Sequence, residues 1–410
     1  MFSLDNFRDE RFAFSLTPQS ASERDRFTVI IGPNGCGKSQ MLRRLAETRR
    51  SDLWMNNGTP SAILAISNLV SDSFPFASAR IEGPYRYLGL RQAANNMSTG
   101  SLHDSIANSL IEYLARQSNA DLAPLLSELE FDDWRLIVRR SNTKSAQAPR
   151  SRLLNDLDKA EEPRAAEVVT DLNDEMRAFG NSYTERAVTD EGRYPGFIAH
   201  LARKYGLPIP FIMRQVRRTA GLHLEVEFAR DYTGVLAREL SSGQAMLFSI
   251  FARVAATLET GSLILIDEPE LGLHPNWQSA FIPLLRTLHP EGSGSHFFIA
   301  THSPYLVADA TDVLTPGPQW GEFVEFDDPF EGRSVENILY RVFNARVAGN
   351  QMVESDLSLL ITAMGNAQFD QTIEDGVLDA HRRLRGLSSP DTSTLNRVLE
   401  EFDARLADRT

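Results

Sequence analysis

The 410-residue chain contains a single cysteine, Cys36. One thiol cannot close a disulfide within the chain, which excludes a stapled secreted scaffold. No CxxC occurs, so a cysteine-based zinc hook or ribbon is excluded as well. Nowhere do eighteen apolar residues follow one another, and no membrane-spanning helix is expected. The amino terminus, MFSLDNFRDE, lacks the basic and apolar regions of a secretory signal, so a cytoplasmic location is expected. Positive charge is also short: 42 Lys and Arg face 55 Asp and Glu, a net charge of −13. A general nucleic-acid coat needs the opposite balance to displace counterions from phosphates.

What is present suits one large or two moderate globular domains, with 42% of the residues hydrophobic. Phe27–Ile31, Ala62–Ile66, Leu263–Ile266 and Phe297–Ala300 are short runs apolar enough to be buried on both faces of a sheet. Between and after them the spacing is helical, as in Leu102, Ile106, Leu110 and Leu114, or Met246, Leu247, Ile250, Phe251 and Val254. Strands alternating with helices predict an α/β domain with a mostly parallel sheet. From about residue 119 to 220, prolines break up short helical runs, and the stretch reads as a largely helical insertion that splits the domain. No sustained heptad repeat occurs, which argues against a coiled-coil arm.

Three segments carry chemistry. Gly32-Pro33-Asn34-Gly35-Cys36-Gly37-Lys38-Ser39 fits GxxxxGKS between a buried strand and a helix. Its glycines let successive N–H groups converge on phosphates at a positive helix end. In such a P-loop Lys38 reaches the β- and γ-phosphates of ATP, and the Ser39 hydroxyl ligates Mg²⁺. Leu263 to Ile266 delivers Asp267 and Glu268 at a strand's carboxyl end, where open α/β sheets bind ligands. Asp267 is the candidate for holding Mg²⁺ and Glu268 for polarising an attacking water. Ser241-Ser242-Gly243-Gln244 opens the next helix and suits an anion, although on its own the segment reads better as a plain serine N-cap. Cys36 inside the loop reads as a small tolerated residue rather than a redox switch.

The order of these motifs resembles that of ABC-type ATPases. Glu239-Leu240-Ser241-Ser242-Gly243-Gln244 looks like their signature motif. Asp267-Glu268-Pro269-Glu270-Leu271-Gly272-Leu273-His274-Pro275 resembles the Walker B and D-loop of the non-transporter branch, and Phe298-Ile299-Ala300-Thr301-His302-Ser303-Pro304 its switch-histidine strand. That branch holds SMC-like and RecF-like proteins, overcoming-lysogenisation-defect ATPases and Septu-type anti-phage ATPases. The resemblance implies an ABC-type P-loop ATPase head, with ATP and Mg²⁺ sandwiched between two copies. It further implies that Ser241, Ser242, Gly243 and Gln244 act on the nucleotide of the partner head, and that His302 contacts the γ-phosphate beside Glu268 and Lys38. A histidine satisfied by strand-end hydrogen bonds is the plainer alternative for His302. Gln92 is the nearest candidate for the Mg²⁺-ligating glutamine. The expected division is a P-loop lobe over 1–92, a helical insertion or lid over 93–220, a lobe with signature, Walker B and switch histidine over 221–345, and a helical tail over 346–410.

Two acid-free basic runs lie in the insertion: Arg135, Arg139, Arg140, Lys144, Arg150 and Arg152, then Arg193, Arg203, Lys204, Arg214, Arg217 and Arg218. They fit a nucleic-acid backbone, a solvated face or an acidic partner equally well. No DxD follows His302, and Asp156-Leu157-Asp158 in the insertion is the one such pair, so a fused nuclease is not expected. The expectation is therefore an ATPase that dimerises around Mg-ATP and controls or senses for a separate effector such as a nuclease, in anti-phage defence. The alternative is a DNA-repair or chromosome-maintenance ATPase of RecF or SMC type that gates DNA binding. A transport ATPase is disfavoured by the Glu270-to-Pro275 loop and the long insertion.

Overall fold

The computed structural model describes residues 2–18, 24–48, 58–69, 72–75, 84–90, 100–140, 162–183, 188–190, 192–207, 209–289, 292–326, 351–365, 375–385, 388 and 392–407. Strands β1 (Asn6–Arg8) and β2 (Ala13–Ser15) pair as a hairpin before β3 (Arg26–Ile30) and helix α1 (Lys38–Glu47). There follow β4 (Ile63–Ser67), β5 (Tyr85–Tyr87), α2 (Gly100–Arg116), α3 (Ala123–Glu128), β6 (Asp133–Arg140), α4 (Glu162–Asn181), β7 (Val188–Asp190), α5 (Arg193–Tyr205) and α6 (Ile209–Ala220). The chain continues through β8 (Leu222–Arg230), β9 (Thr233–Leu236), α7 (Ser242–Thr257), β10 (Leu263–Asp267), α8 (Pro275–Thr287), β11 (His296–Ala300), β12 (Asp312–Pro316) and β13 (Phe323–Glu325). Helices α9 (Gln351–Gly365), α10 (Asp375–Arg385) and α11 (Ser393–Ala407) end it, sharing a small core around Leu360, Leu384 and Phe402.

The central sheet has seven strands in the order β13-β12-β3-β11-β10-β4-β5, all parallel except β13. Side chains alternate across it as strand geometry requires. Leu263 and Leu265 face a layer formed by α1 and the β1–β2 hairpin, with Met41, Leu42, Phe7 and Phe14. Ile264 and Ile266 face the other layer, with Ile106 and Leu110 of α2, Phe251 of α7 and Phe281 of α8. Thirteen of the sixteen residues of α7 are buried, so this helix is a core element rather than an amphipathic cover.

The insertion is largely helical, α2 to α6, and it also contributes two strands, β6 and β7. β6 pairs antiparallel with β8 over its full length, Asp133 to Ala229 through Arg140 to Leu222, in a four-stranded sheet β7-β6-β8-β9. Its alternation is strand-like, with Leu136 and Val138 buried and Arg135 and Arg139 exposed. The same apolar core runs from this sheet into α2 and α7. Much of the positive charge is already partnered: Arg135 pairs with Glu227, Arg139 with Glu225 and Lys204 with Glu175, while Arg193 lies over the rings of Phe179 and Tyr183. Lys144, Arg150, Arg152 and the Asp156–Asp158 pair lie outside the described residues, as do the side chains of Arg214, Arg217 and Arg218.

At the amino ends of the central strands a polar network is sealed in the sheet. The Arg26 guanidinium donates to both carboxylate oxygens of Asp312, at 2.6 and 2.8 Å, and to Asp5 at 2.6 Å. The Leu4 N–H donates to His296 Nδ1, so the imidazole proton sits on Nε2 and reaches Thr28 Oγ1 at 2.8 Å. Thr28 in turn donates to Asp312. Burial, reinforced by Arg26, holds His296 well below the usual imidazole range, and the ring stays neutral. Removing the carboxylate leaves the buried guanidinium with Asp5 as its one carboxylate hydrogen-bond partner, beside the Ser3 hydroxyl and the Thr17 carbonyl. Asp312→Ala is therefore expected to lower the unfolding free energy by about 2–4 kcal/mol, measured by urea denaturation.

Candidate nucleotide-binding site

β3 ends at Ile30, and the chain then wraps through Gly32–Gly37 into α1. Gly35 and Gly37 have φ of 80° and 103°, conformations that a side chain would strain. Gly37 also lies 3.1 Å from the Phe12 ring, measured to an added Cβ. The Lys38 ammonium donates to Gly32 O at 2.9 Å and to His302 Nε2 at 2.9 Å. An ammonium has only protons to give, so Nε2 accepts and His302 carries its proton on Nδ1. Burial, with Lys38 adding to it, keeps this imidazole below its ordinary pKa, against the opposing pull of Glu268.

β11 separates β3 from β10, and the three strands run parallel in register, with Asp267 level with Ala300 and Ala300 level with Ile30. Their carboxyl ends therefore present the phosphate loop, His302 and the two acids side by side. Ser39 Oγ donates to Asp267 Oδ1 at 2.9 Å, and His302 Nε2 lies 3.8 Å from Glu268 Oε1. Glu268 sits at φ 48°, a left-handed backbone that disfavours non-glycine residues, and its N–H is pinned to Ala300 O at 2.9 Å.

The cleft is crowded with negative charge. Burial pushes the Asp267 carboxyl up to about 7; the Ser39 hydroxyl opposes this, while Glu268, Asp72 and Glu270 reinforce it. Glu270 is pushed up as well, by burial, against the His302 N–H that it accepts at 2.6 Å. One Glu270 oxygen is buried without a hydrogen-bond partner. Burial pulls the Lys38 ammonium down, with the Cys36 sulfur and the carboxylates of Glu268, Asp267 and Glu270 opposing it. Among the described residues no three His, Cys, Asp or Glu converge as a metal cage. One hydroxyl and one carboxylate, completed by phosphate oxygens and water, is a donor set that suits Mg²⁺.

Lys38, Ser39, Asp267, Glu268 and His302 thus meet in one cleft. Ser241–Gln244 do not join them: among the described residues no hydrogen bond or ion pair links this segment to the phosphate loop. Ser241 caps α7 through a reciprocal pair, Gln244 N–H to Ser241 Oγ at 3.3 Å and Ser241 N–H to Gln244 Oε1 at 3.0 Å. Gly243 packs on the D-loop, where an added Cβ would come within 2.9 Å of both Gly272 O and the Trp277 ring. Pro33, Asn34 and Cys36 line the loop, and Gln92 lies outside the described residues.

Sequence reasoning missed four contributors. Glu270 and Gln278 hold the switch strand, the latter by accepting from Ser303 Oγ at 2.6 Å. Asp72, which accepts from the Tyr87 hydroxyl at 2.5 Å, adds to the field on Asp267. Arg253, fully buried on α7, donates to Leu88 O and Asn68 Oδ1 beyond β5 and β4, and so ties the signature helix to those strand ends. Only Glu270 had a signal in the sequence, its place two residues after Glu268.

Residues 109–308 match a family described as "AAA domain, putative AbiEii toxin, Type IV TA system". Protein ea59 of Escherichia phage lambda is 39% identical over 70 residues, covering 17% of this chain and 13% of that protein. The "Retron Vc95 probable ATPase" of Vibrio cholerae serotype O1 biovar El Tor is 26% identical over 108 residues, covering 24% and 20%. The matched regions are thus a fifth or less of those relatives' length. Similar solved structures include a nucleotide-free ATP-binding cassette from an ABC transporter, at 14% identity over 82% of this chain and 93% of that one, with a TM-score of 0.31. Another is an SMC head domain with an extended coiled coil from Pyrococcus furiosus, at 13% identity over 74% and 90%, with a TM-score of 0.30. The motif order and the mostly parallel sheet agree with a P-loop ATPase fold, and the similarity to the AAA-domain family spans 200 of the 410 residues.

Proposed function

We propose that the chain binds Mg-ATP in this cleft and hydrolyses it when two heads close on the nucleotide. The convergence of Lys38, Ser39, Asp267, Glu268 and His302 at the ends of three adjacent parallel strands carries the reading. The phosphate-loop N–H groups and Lys38 hold the triphosphate; Ser39 and Asp267 hold the cation. A Mg²⁺ ion held by Ser39 and Asp267 would supply positive charge to offset the charge that develops on the phosphates. Glu268, re-aimed by its left-handed backbone, accepts the proton of the attacking water. Neutral His302, with its proton on Nδ1, accepts from Lys38 at Nε2, a bond that phosphate binding competes for. Ser241–Gln244, distant from their own chain's phosphate loop in hydrogen bonding, serve the partner head's nucleotide.

The role of such a closure is to control a separate effector in anti-phage defence. The match to a family described through a toxin system and the local similarity to a retron ATPase support that assignment. The pairing of Arg135, Arg139 and Lys204 with acids disfavours a chain that tracks DNA by itself. No helix among the described residues is long and apolar enough to cross a membrane.

Lys38→Ala is expected to abolish ATP binding, while Glu268→Gln binds ATP but turns it over about a hundredfold more slowly; wild-type turnover by Glu268→Gln removes the assigned base. In the Glu268→Gln background, Mg-ATP is expected to double the mass seen by light scattering, and a persistent monomer refutes the shared site. Asp267 supplies a pH signature. Its folded pKa is raised, so its contribution to stability is fully present below the unfolded carboxylate range and is lost as pH rises through about 7. Nucleotide-free Asp267→Asn is therefore expected to be more stable than the wild type at pH 8, with the difference shrinking toward pH 4 in denaturation curves.

A further inference from the structure

A buried carboxylate stands near the cation donors although none of the motifs contains it. Asp72 is 5% exposed and follows β4, whose last residue, Ser67, is level with Asp267 of β10. Its segment is firmly held. Ser73 Oγ donates at 2.9 Å to the carbonyl of Ser39, the residue whose own hydroxyl reaches Asp267. Phe74 is buried in one apolar core with Met41 and Leu42 of α1, and Pro75 O accepts from the Tyr85 hydroxyl at 2.8 Å. Asp72 itself accepts the Phe74 N–H at 3.0 Å on Oδ1 and the Tyr87 hydroxyl at 2.5 Å on Oδ2.

A turn cap needs an acceptor and not a charge, so an asparagine would serve the Phe74 N–H as well. Asp72 instead brings a full charge to a buried edge that already holds Asp267, and its field is one of those that push the Asp267 carboxyl up. Carboxylates that share a desolvated region repel one another, and a bound cation reverses that balance. The described residues form no three-acid cage, so Asp72 does not join Ser39 and Asp267 as a direct ligand. What remains for it is the cation's water shell. Mg²⁺ keeps several waters in sites with one or two carboxylates, and acceptors in the second shell orient them.

We propose that Asp72 is an outer-shell acceptor of the cation site, taking a hydrogen bond from a water on the Mg²⁺ that Ser39 and Asp267 would hold, and that the Tyr87 hydroxyl positions it for this task. The inference rests on the nucleotide-binding reading above and adds two residues from outside all four motifs. Tyr87 is a positioning residue, acting on the cation only through Asp72. Asp72→Asn keeps an acceptor for the Phe74 N–H and removes the charge, which makes the turn and the cation role separable by mutation.

Calorimetry on the full chain gives the affinity for the non-hydrolysable analogue adenylyl imidodiphosphate, once with Mg²⁺ and once with EDTA. The ratio of the two affinities reports the cation's contribution without any turnover. Asp72→Asn is expected to lower that ratio about tenfold, with an affinity in EDTA no weaker than the wild type's. Tyr87→Phe is expected to lower the ratio by a smaller factor and to leave the EDTA affinity unchanged. An unchanged ratio in Asp72→Asn overturns the outer-shell role. So does an equal loss with and without Mg²⁺, since that means Asp72 only shapes the turn. A wild-type ratio in Tyr87→Phe beside a reduced one in Asp72→Asn overturns the positioning role of Tyr87. A wild type that binds the analogue in neither condition overturns the nucleotide-binding reading itself.

Discussion

Everything at the site depends on three parallel strands ending at the same height. Parallel strands in register place all their carboxyl ends on one edge, and β3, β11 and β10 are neighbours there. The phosphate loop leaves the first, His302 follows the second and Asp267-Glu268 closes the third. A slip of one residue would send every side chain of a strand to the opposite face of the sheet. The alternation of Leu263 and Leu265 against Ile264 and Ile266, each pair buried in a different layer, resists such a slip. The sealed Arg26–Asp312–Thr28–His296 network pins the same strands at their other end.

That edge concentrates negative charge. Asp267, Glu268, Glu270 and Asp72 influence one another through a buried interior, and Lys38 with neutral His302 is too little to offset them. The result is an Asp267 carboxyl pushed well above its usual range and a Glu270 oxygen left without a hydrogen bond. Such a field is unfavourable for the protein alone and favourable once a divalent cation arrives. Cation affinity and nucleotide-free stability therefore draw on the same groups in opposite directions.

The parts of the fold legible in the sequence are those where burial leaves no choice. β3, β4, β10 and β11 are buried at every position, so apolar runs mark them. The phosphate loop and the Asp267-Glu268 pair add chemistry that few other arrangements require. β6 escaped notice because Arg135, Arg139 and Arg140 dominate its composition, although Leu136 and Val138 keep the strand period and Glu225 and Glu227 answer the charges from β8. Helix α8 begins on Pro275, at the first-turn position that proline favours, and contains Pro283, which a helix interior disfavours. Asp72, Arg253 and Gln278 act through neighbours far away in the chain, and no local pattern announces such contacts. The signature segment was ambiguous between serine cap and anion site; within one chain it is a capping box, and its hydroxyl is already engaged.

This engagement links the two halves of the proposed cycle. Gly243 touches the D-loop through Gly272 and Trp277, and the D-loop is fastened to the switch strand by Gln278 and Glu270. On the far side of α7, Arg253 grips Asn68 and Leu88 at the ends of β4 and β5 without any carboxylate among the described residues to neutralise it. A buried guanidinium held by carbonyl oxygens tolerates little displacement, because each lost hydrogen bond leaves a desolvated donor. Helix α7 is therefore clamped between the D-loop and the strand ends. In the proposed dimer, the segment offered to the second head is held by the same contacts as the site behind it, and is not a free loop.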